Sequence, residues 1–159
     1  MPYIIGIVLA LAISVYATAL QLDRDRAFYP TVLNVIAMLY ILFAAIGGAS
    51  GRVFVFEALI GGVFIVAASV GFRGSLWLVA AGLAAHGIQD FFHGSIVANP
   101  GVPPWWPAFC GAYDVAAAGY LAWRLTRTSV PIAQSRHITT ADAGQAVLNS
   151  AVSRTSAGT

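Results

Sequence analysis

His86, Asp90 and His93 stand at positions i, i+4 and i+7 of the stretch Ala85–Gly94. At about 100° per helical residue, their side chains fall within roughly 60° of one another on one face. Two imidazoles and a carboxylate so placed are a candidate ligand set, and they suit Zn(II), Fe(II) or Mn(II). A metal held there would activate water for hydrolysis or, as iron, oxygen for hydroxylation. Asp114 is the candidate fourth ligand or general base, and Glu57 a second candidate base. An i, i+4 pair readily shares one metal, whereas a third ligand at i+7 is geometrically more demanding.

The rest of the chain sets the solvent for this face. Of 159 residues, 59% are hydrophobic and only 9% charged, with mean hydropathy +0.81. A soluble domain carries about a quarter charged residues, so the composition implies an integral membrane protein. The eight basic residues are all arginines, scattered singly with a net charge of +2. That pattern is a topology signal and excludes a nucleic-acid patch. The single cysteine, Cys110, excludes an internal disulfide framework and any multi-cysteine metal site.

Five apolar runs of spanning length are expected: Tyr3–Leu20, Phe28 to about Gly48, Val53–Phe72, Leu76–Gly94, and Trp106 to about Arg124. Pro30 suits the first turn of the second run. Residues Ser95–Pro104 read as non-helical because of three prolines and a glycine. The expected fold is all-α, a membrane bundle of five transmembrane helices over 1–124, followed by a mobile cytoplasmic tail over 125–159 with at most a short helix after Thr140. Ala17-Thr18-Ala19 resembles a cleavage site, but no positive region precedes the apolar run, so the first span reads as retained. Five spans put Arg24, Arg26, Arg73, Arg124, Arg127, Arg136 and Arg154 on one side and only Arg52 on the other. This bias implies an N-terminus outside and a cytoplasmic C-terminus. Trp77 and Trp123 then mark the inner interface, and Trp105 and Trp106 the outer one.

Topology turns position into depth. His86 lies roughly 12 Å below the outer surface, Asp114 about as deep, and Glu57 roughly 7 Å down. The three carboxylates inside spans and both intramembrane histidines therefore share the outer half of the bilayer. The face carrying Asp114 also holds Cys110, Gly111, Ala117 and Ala118, small residues that let the fourth helix approach, helped by Gly87 and Gly94. Ala108, Ala112 and Ala116 form a second small-residue stripe on the opposite side, for some other contact. Asn34, Tyr40, Tyr16, Ser14 and Tyr120 are the only polar groups expected below Asp114, which argues against a transmembrane proton relay.

From Phe28 to about Tyr120 the chain resembles a family of small bacterial multi-pass membrane proteins with no assigned reaction. The matching features are Leu33-Asn34, Phe56-Glu57, the block from Ala85 to His93, and Cys110-x-x-x-Asp114. The chain departs from the family pattern at Gln89, where a tryptophan is common, and at Gly94, where a second histidine is common. The resemblance implies the fold and the residues to watch. More loosely, intramembrane His/carboxylate clusters are similar to those of seven-span metal-dependent hydrolases and five-span sterol isomerases, by analogy alone.

Three function classes stay open at this point. One is a metal-dependent enzyme acting on a lipid-like small molecule. Another is a transporter, sensor or metal- or ligand-binding component without catalysis, and the third a metal-free acid/base isomerase. Against all three stands a polar network that only closes the bundle, each histidine donating to a carboxylate on a neighbouring helix. Cys110 reads as core and Tyr113 as core or interface, while Glu57 lies near enough to the surface to be solvated. The expected partner is the lipid bilayer, and a homo-oligomer is compatible with the sequence.

Overall fold

Serine and proline punctuation sets where the helices start and stop. Ser50 accepts a hydrogen bond from the Val53 amide at 3.4 Å and Ser75 from the Trp77 amide at 3.3 Å, capping the helices that follow them. The computed structural model describes residues 1–128 and contains α1 (Pro2–Ala19), α2 (Phe28–Ile46), α3 (Gly51–Arg73), α4 (Leu76–Ile96) and α5 (Trp106–Thr128). No strand occurs among the described residues. The fold is therefore all-α, with helices close to the five expected runs. The chain divides into units Met1–Leu125 and Thr126–Thr159, and of the second only the end of α5 is described. The expected tail thus lies almost wholly outside the described residues.

Two helices outrun their expected ends, α5 by about four residues to Thr128 and α4 by two. Helix α4 continues through Ser95 and Ile96, where a break was expected. The first proline is Pro100, whose ring conflicts with a helical carbonyl at the fourth residue before it, Ile96. The helix runs to that limit, and the Val97 amide closes it on the His93 carbonyl at 2.8 Å.

α1, α2 and α3 are long and apolar enough to cross a membrane. Large apolar side chains point outward on every helix: Ile4 on α1, Met38 on α2, Val63 on α3, Phe92 on α4 and Val115 on α5 are each more than 40% exposed. The buried set, by contrast, includes Glu57, His86, Asp90, His93 and Asp114. Polar inside and apolar outside is the arrangement a hydrocarbon solvent demands.

Glycines mark the helix crossings. A Cβ on Gly61 would meet the Ala37 carbonyl oxygen at 2.8 Å, so α3 lies close on α2. A Cβ on Gly87 would meet the Gly111 carbonyl at 2.8 Å, and one on Gly111 the Gly87 carbonyl at 2.9 Å. The small-residue face of α5 therefore does receive α4. Gly94 has open space beside it and takes no part in that contact. The second stripe of α5 serves α1, since a Cβ on Gly6 would collide with Phe109 and Ala112.

The two ends of the bundle are distinct. At one, Arg26 donates to the Gly74 carbonyl at 2.8 Å, Arg124 pairs with Asp23 at 3.3 Å, and Tyr120 donates to Thr18 at 3.2 Å. At the other, Gly101 packs on Gly47 and on the Phe43 carbonyl, which folds the α4–α5 connection over the end of α2. We call these the arginine-rich end and the loop end.

Candidate functional site

Helix α4 supplies the spine of the site. His86, Asp90 and His93 are each about 1% exposed and share its inward face, as their spacing requires. The face divides between two neighbours. His86 turns to α5, where its Nδ1 lies 2.7 Å from Asp114 Oδ2. One helical turn from Asp114, the Cys110 sulfur is 3.9 Å from the same oxygen. Asp90 Oδ2 stands 3.6 Å from His86 Nδ1. His86, Asp90, Cys110 and Asp114 each offer one ligand atom, and all four atoms lie within 4.8 Å of one another.

His93 turns the other way. Its Nε2 lies 2.9 Å from Glu57 Oε1 on α3, so it joins Glu57 and not the four-residue group. Glu57 is only 1% exposed, against the expectation of a solvated residue. The cause is the α4–α5 connection: Asn99 Nδ2 donates to Glu57 Oε1 at 2.8 Å and to the Tyr40 carbonyl at 3.0 Å. Asn99 Oδ1 in turn accepts the Gly101 amide at 3.1 Å. The loop thereby seals the carboxylate that its depth alone would have left wet.

Tyr40 separates the two groups. Its ring stacks on His93 with centroids 4.0 Å apart and lies 6.1 Å from His86. It was expected below the site, on the inward path, and the structure corrects this. Tyr40 is six residues from the loop-end terminus of α2 at Ile46, or ~9 Å, which is level with the site. On the far side Phe64 meets His86 edge-on at 4.8 Å. Asn34, one of the polar groups read as lying below Asp114, has a buried side-chain oxygen with no partner.

No family model, curated protein or solved structure matches this chain. Function must therefore be argued from the site itself.

Both hydrogen-bonded pairs, His86–Asp114 and His93–Glu57, are what a bundle-closing network would contain. Asp90 is different. Neither of its buried carboxylate oxygens has a hydrogen-bond partner at short range, nor has Asp114 Oδ1, although Asp90 lies against the Tyr40 hydroxyl and the Cys110 sulfur. The Tyr40 hydroxyl, directed at Asp90 at longer reach, has no closer partner. A buried polar group left unmade costs about 1–3 kcal/mol, and more when charged. Two carboxylates beside one imidazole also leave surplus negative charge unless a cation or protons offset it. The donor set fits a divalent ion: one imidazole, one thiol and two carboxylates are all established zinc or iron ligands. Tetrahedral bonds of 2.0–2.3 Å put ligand atoms roughly 3.3–3.8 Å apart. The widest separation in the group need close by only about 1 Å, and the 2.7 Å His86–Asp114 contact need open by less.

Among the sequence-derived candidates, then, His86, Asp90 and Asp114 come together, while His93 and Glu57 form a second pair. Cys110, read from sequence as core, sits in the first group. Its signal was the i, i+4 spacing to Asp114. For Tyr40 the signal was depth, and for Asn99 there was none, since its position depends on how the loop folds.

Proposed function

We propose that this is a five-span bacterial inner-membrane protein in which His86, Asp90, Cys110 and Asp114 hold one divalent metal ion, and that it is a metal-dependent enzyme on a lipid-like substrate. The carrying observation is that four buried ligand atoms, one each from His86, Asp90, Cys110 and Asp114, lie within 4.8 Å of one another. Two carboxylates share one imidazole there, and a bound cation would offset the surplus negative charge that the pairing leaves.

The outward-facing apolar side chains of α4 and α5 support spanning by those two helices as well. The arginine bias supports a cytoplasmic arginine-rich end and an outward-facing loop end. A recess of about 470 Å³ at the loop end reaches His93 and Asn99 between the prolines of the connection. It offers water and polar groups a route as far as His93.

The roles divide accordingly. The metal, when bound, would supply Lewis acidity, and activating a water there would require a fifth coordination position beyond the four protein ligands. His86 is held by Asp114 on one side and by the Phe64 edge on the other. Glu57 orients His93 through its Nε2, which leaves that imidazole able to accept or return a proton beside the recess. Tyr40 packs between the two groups and fixes their separation.

Elemental analysis of the full chain, purified gently in detergent, tests the reading. About one equivalent of divalent metal, lost in His86→Ala and Asp90→Ala, is the expected result. Metal-free wild-type protein ends the metal reading. A metal-free acid/base enzyme would then be favoured, because two carboxylate–imidazole pairs would remain in place.

A further inference from the structure

A cleft of about 560 Å³ runs between α1, α2 and α5, lined almost wholly by apolar side chains such as Leu9, Ile13, Val35, Leu39 and Phe109. It has one feature that an ordinary lipid-facing crevice lacks. Cys110 forms part of its wall, and the Cys110 sulfur belongs to the four-residue group. The apolar cleft therefore meets the polar cluster through a single residue, near the loop end of the bundle.

The dimensions restrict what lies in it. Along α2 the cleft extends from Leu39 to Phe28, eleven residues or ~16 Å. That is about half of a ~30 Å hydrocarbon core, the depth of one leaflet. The cleft joins apolar walls to a polar cluster at Cys110, a combination that suits a hydrocarbon chain carrying a polar head. Its far end reaches Asp25, an exposed residue whose carboxylate accepts a hydrogen bond from the Ala27 amide at 3.2 Å.

We propose that this cleft is the acyl-chain subsite of the enzyme and that the substrate is a single-chain amphiphile. The chain lies along α2 toward the arginine-rich end, and the polar head lies at Cys110 against the cluster. This rests on the metal-enzyme reading for the identity of the site, but the binding itself does not require a metal.

The test is photolabelling of the full chain in detergent with a diazirine-bearing fatty acid, followed by mass-spectrometric mapping. Val35 is 54% exposed into the cleft region, so Val35→Trp fills the space without disturbing buried packing. Ile13→Trp fills it from α1, and circular dichroism confirms that each variant is folded. Labelling confined to the cleft segments of α1, α2 and α5, reduced about tenfold in either folded variant, is the expected result, equivalent to ~1.4 kcal/mol of lost binding. Labelling spread over all outward apolar faces, labelling insensitive to both variants, or cross-linking to a second copy would overturn the proposal. Metal content separates the two readings. Local labelling of a metal-free protein keeps the subsite and removes the metal enzyme, while bound metal with diffuse labelling does the reverse.

Discussion

At the residue scale, the account depends on a distinction between carboxylates with and without a short hydrogen bond. Glu57 is satisfied: it accepts from Asn99 and pairs with His93. Removing it in Glu57→Ala should leave a buried imidazole and a buried amide donor unmade. The expected cost is about 1–3 kcal/mol, read as a lower thermal midpoint in detergent. Bound metal should be unchanged, because Glu57 lies outside the four-residue group. Asp90 should behave in the opposite way. Asp90→Asn should abolish metal binding while leaving the chelator-treated protein as stable as, or more stable than, the parent, because a buried carboxylate without a short hydrogen bond is replaced by a neutral amide. A drop in apo stability in Asp90→Asn would show that Asp90 is a structural partner after all.

At the element scale, the site exists because α4 and α5 touch backbone to backbone. A methyl group at Gly111 would meet the Gly87 carbonyl at 2.9 Å and the Phe91 ring at 3.1 Å. Those contacts are tight enough to force α4 and α5 apart. Gly111→Ala should therefore destabilise the bundle by about 1–3 kcal/mol and weaken metal binding, since Asp114 and His86 ride on the two separated helices. Gly94→Ala is the control. It has open space around it, and the gain in helix propensity should make it neutral or slightly stabilising, by up to about 1 kcal/mol. Thermal unfolding and metal content of both variants check the pair. The helices themselves were legible in the sequence, because apolar runs of spanning length and serine, glycine and proline punctuation are local signals. So was the meeting of α4 with α5, through Gly87 and the small residues beside Asp114. Which way each side chain on the α4 face turns was not legible. His86 and His93 differ by seven residues and so share a face, yet one is claimed by α5 and the other by α3. That division follows from helix packing, which no spacing rule contains.

At the scale of the whole molecule, the site sits near one end of the bundle, under a loop whose fold could not be read from its prolines. Asn99 buries Glu57, so depth counted along a helix overestimated how wet that residue is. Tyr40 shows the converse, since the depth count from the loop end of α2 places it level with His86. Orientation in the bilayer follows from the arginines and has its own check. In a Cys110→Ser background, Ala49→Cys should react with a membrane-impermeant maleimide added to intact cells, and Ser75→Cys should react only after the cells are opened. The reverse pattern would put the recess over His93 on the cytoplasmic side.

The central claim is that one imidazole, one thiol and two carboxylates converge on a single metal. X-ray absorption of the purified, metal-bound chain tests it most directly, because sulfur and nitrogen or oxygen scatterers differ in distance. For zinc, the account predicts one sulfur at about 2.3 Å with nitrogen and oxygen neighbours at about 2.0–2.2 Å. The sulfur shell should vanish in Cys110→Ser. A shell of nitrogen and oxygen alone in the wild type, unchanged by Cys110→Ser, would contradict the assignment of these four residues.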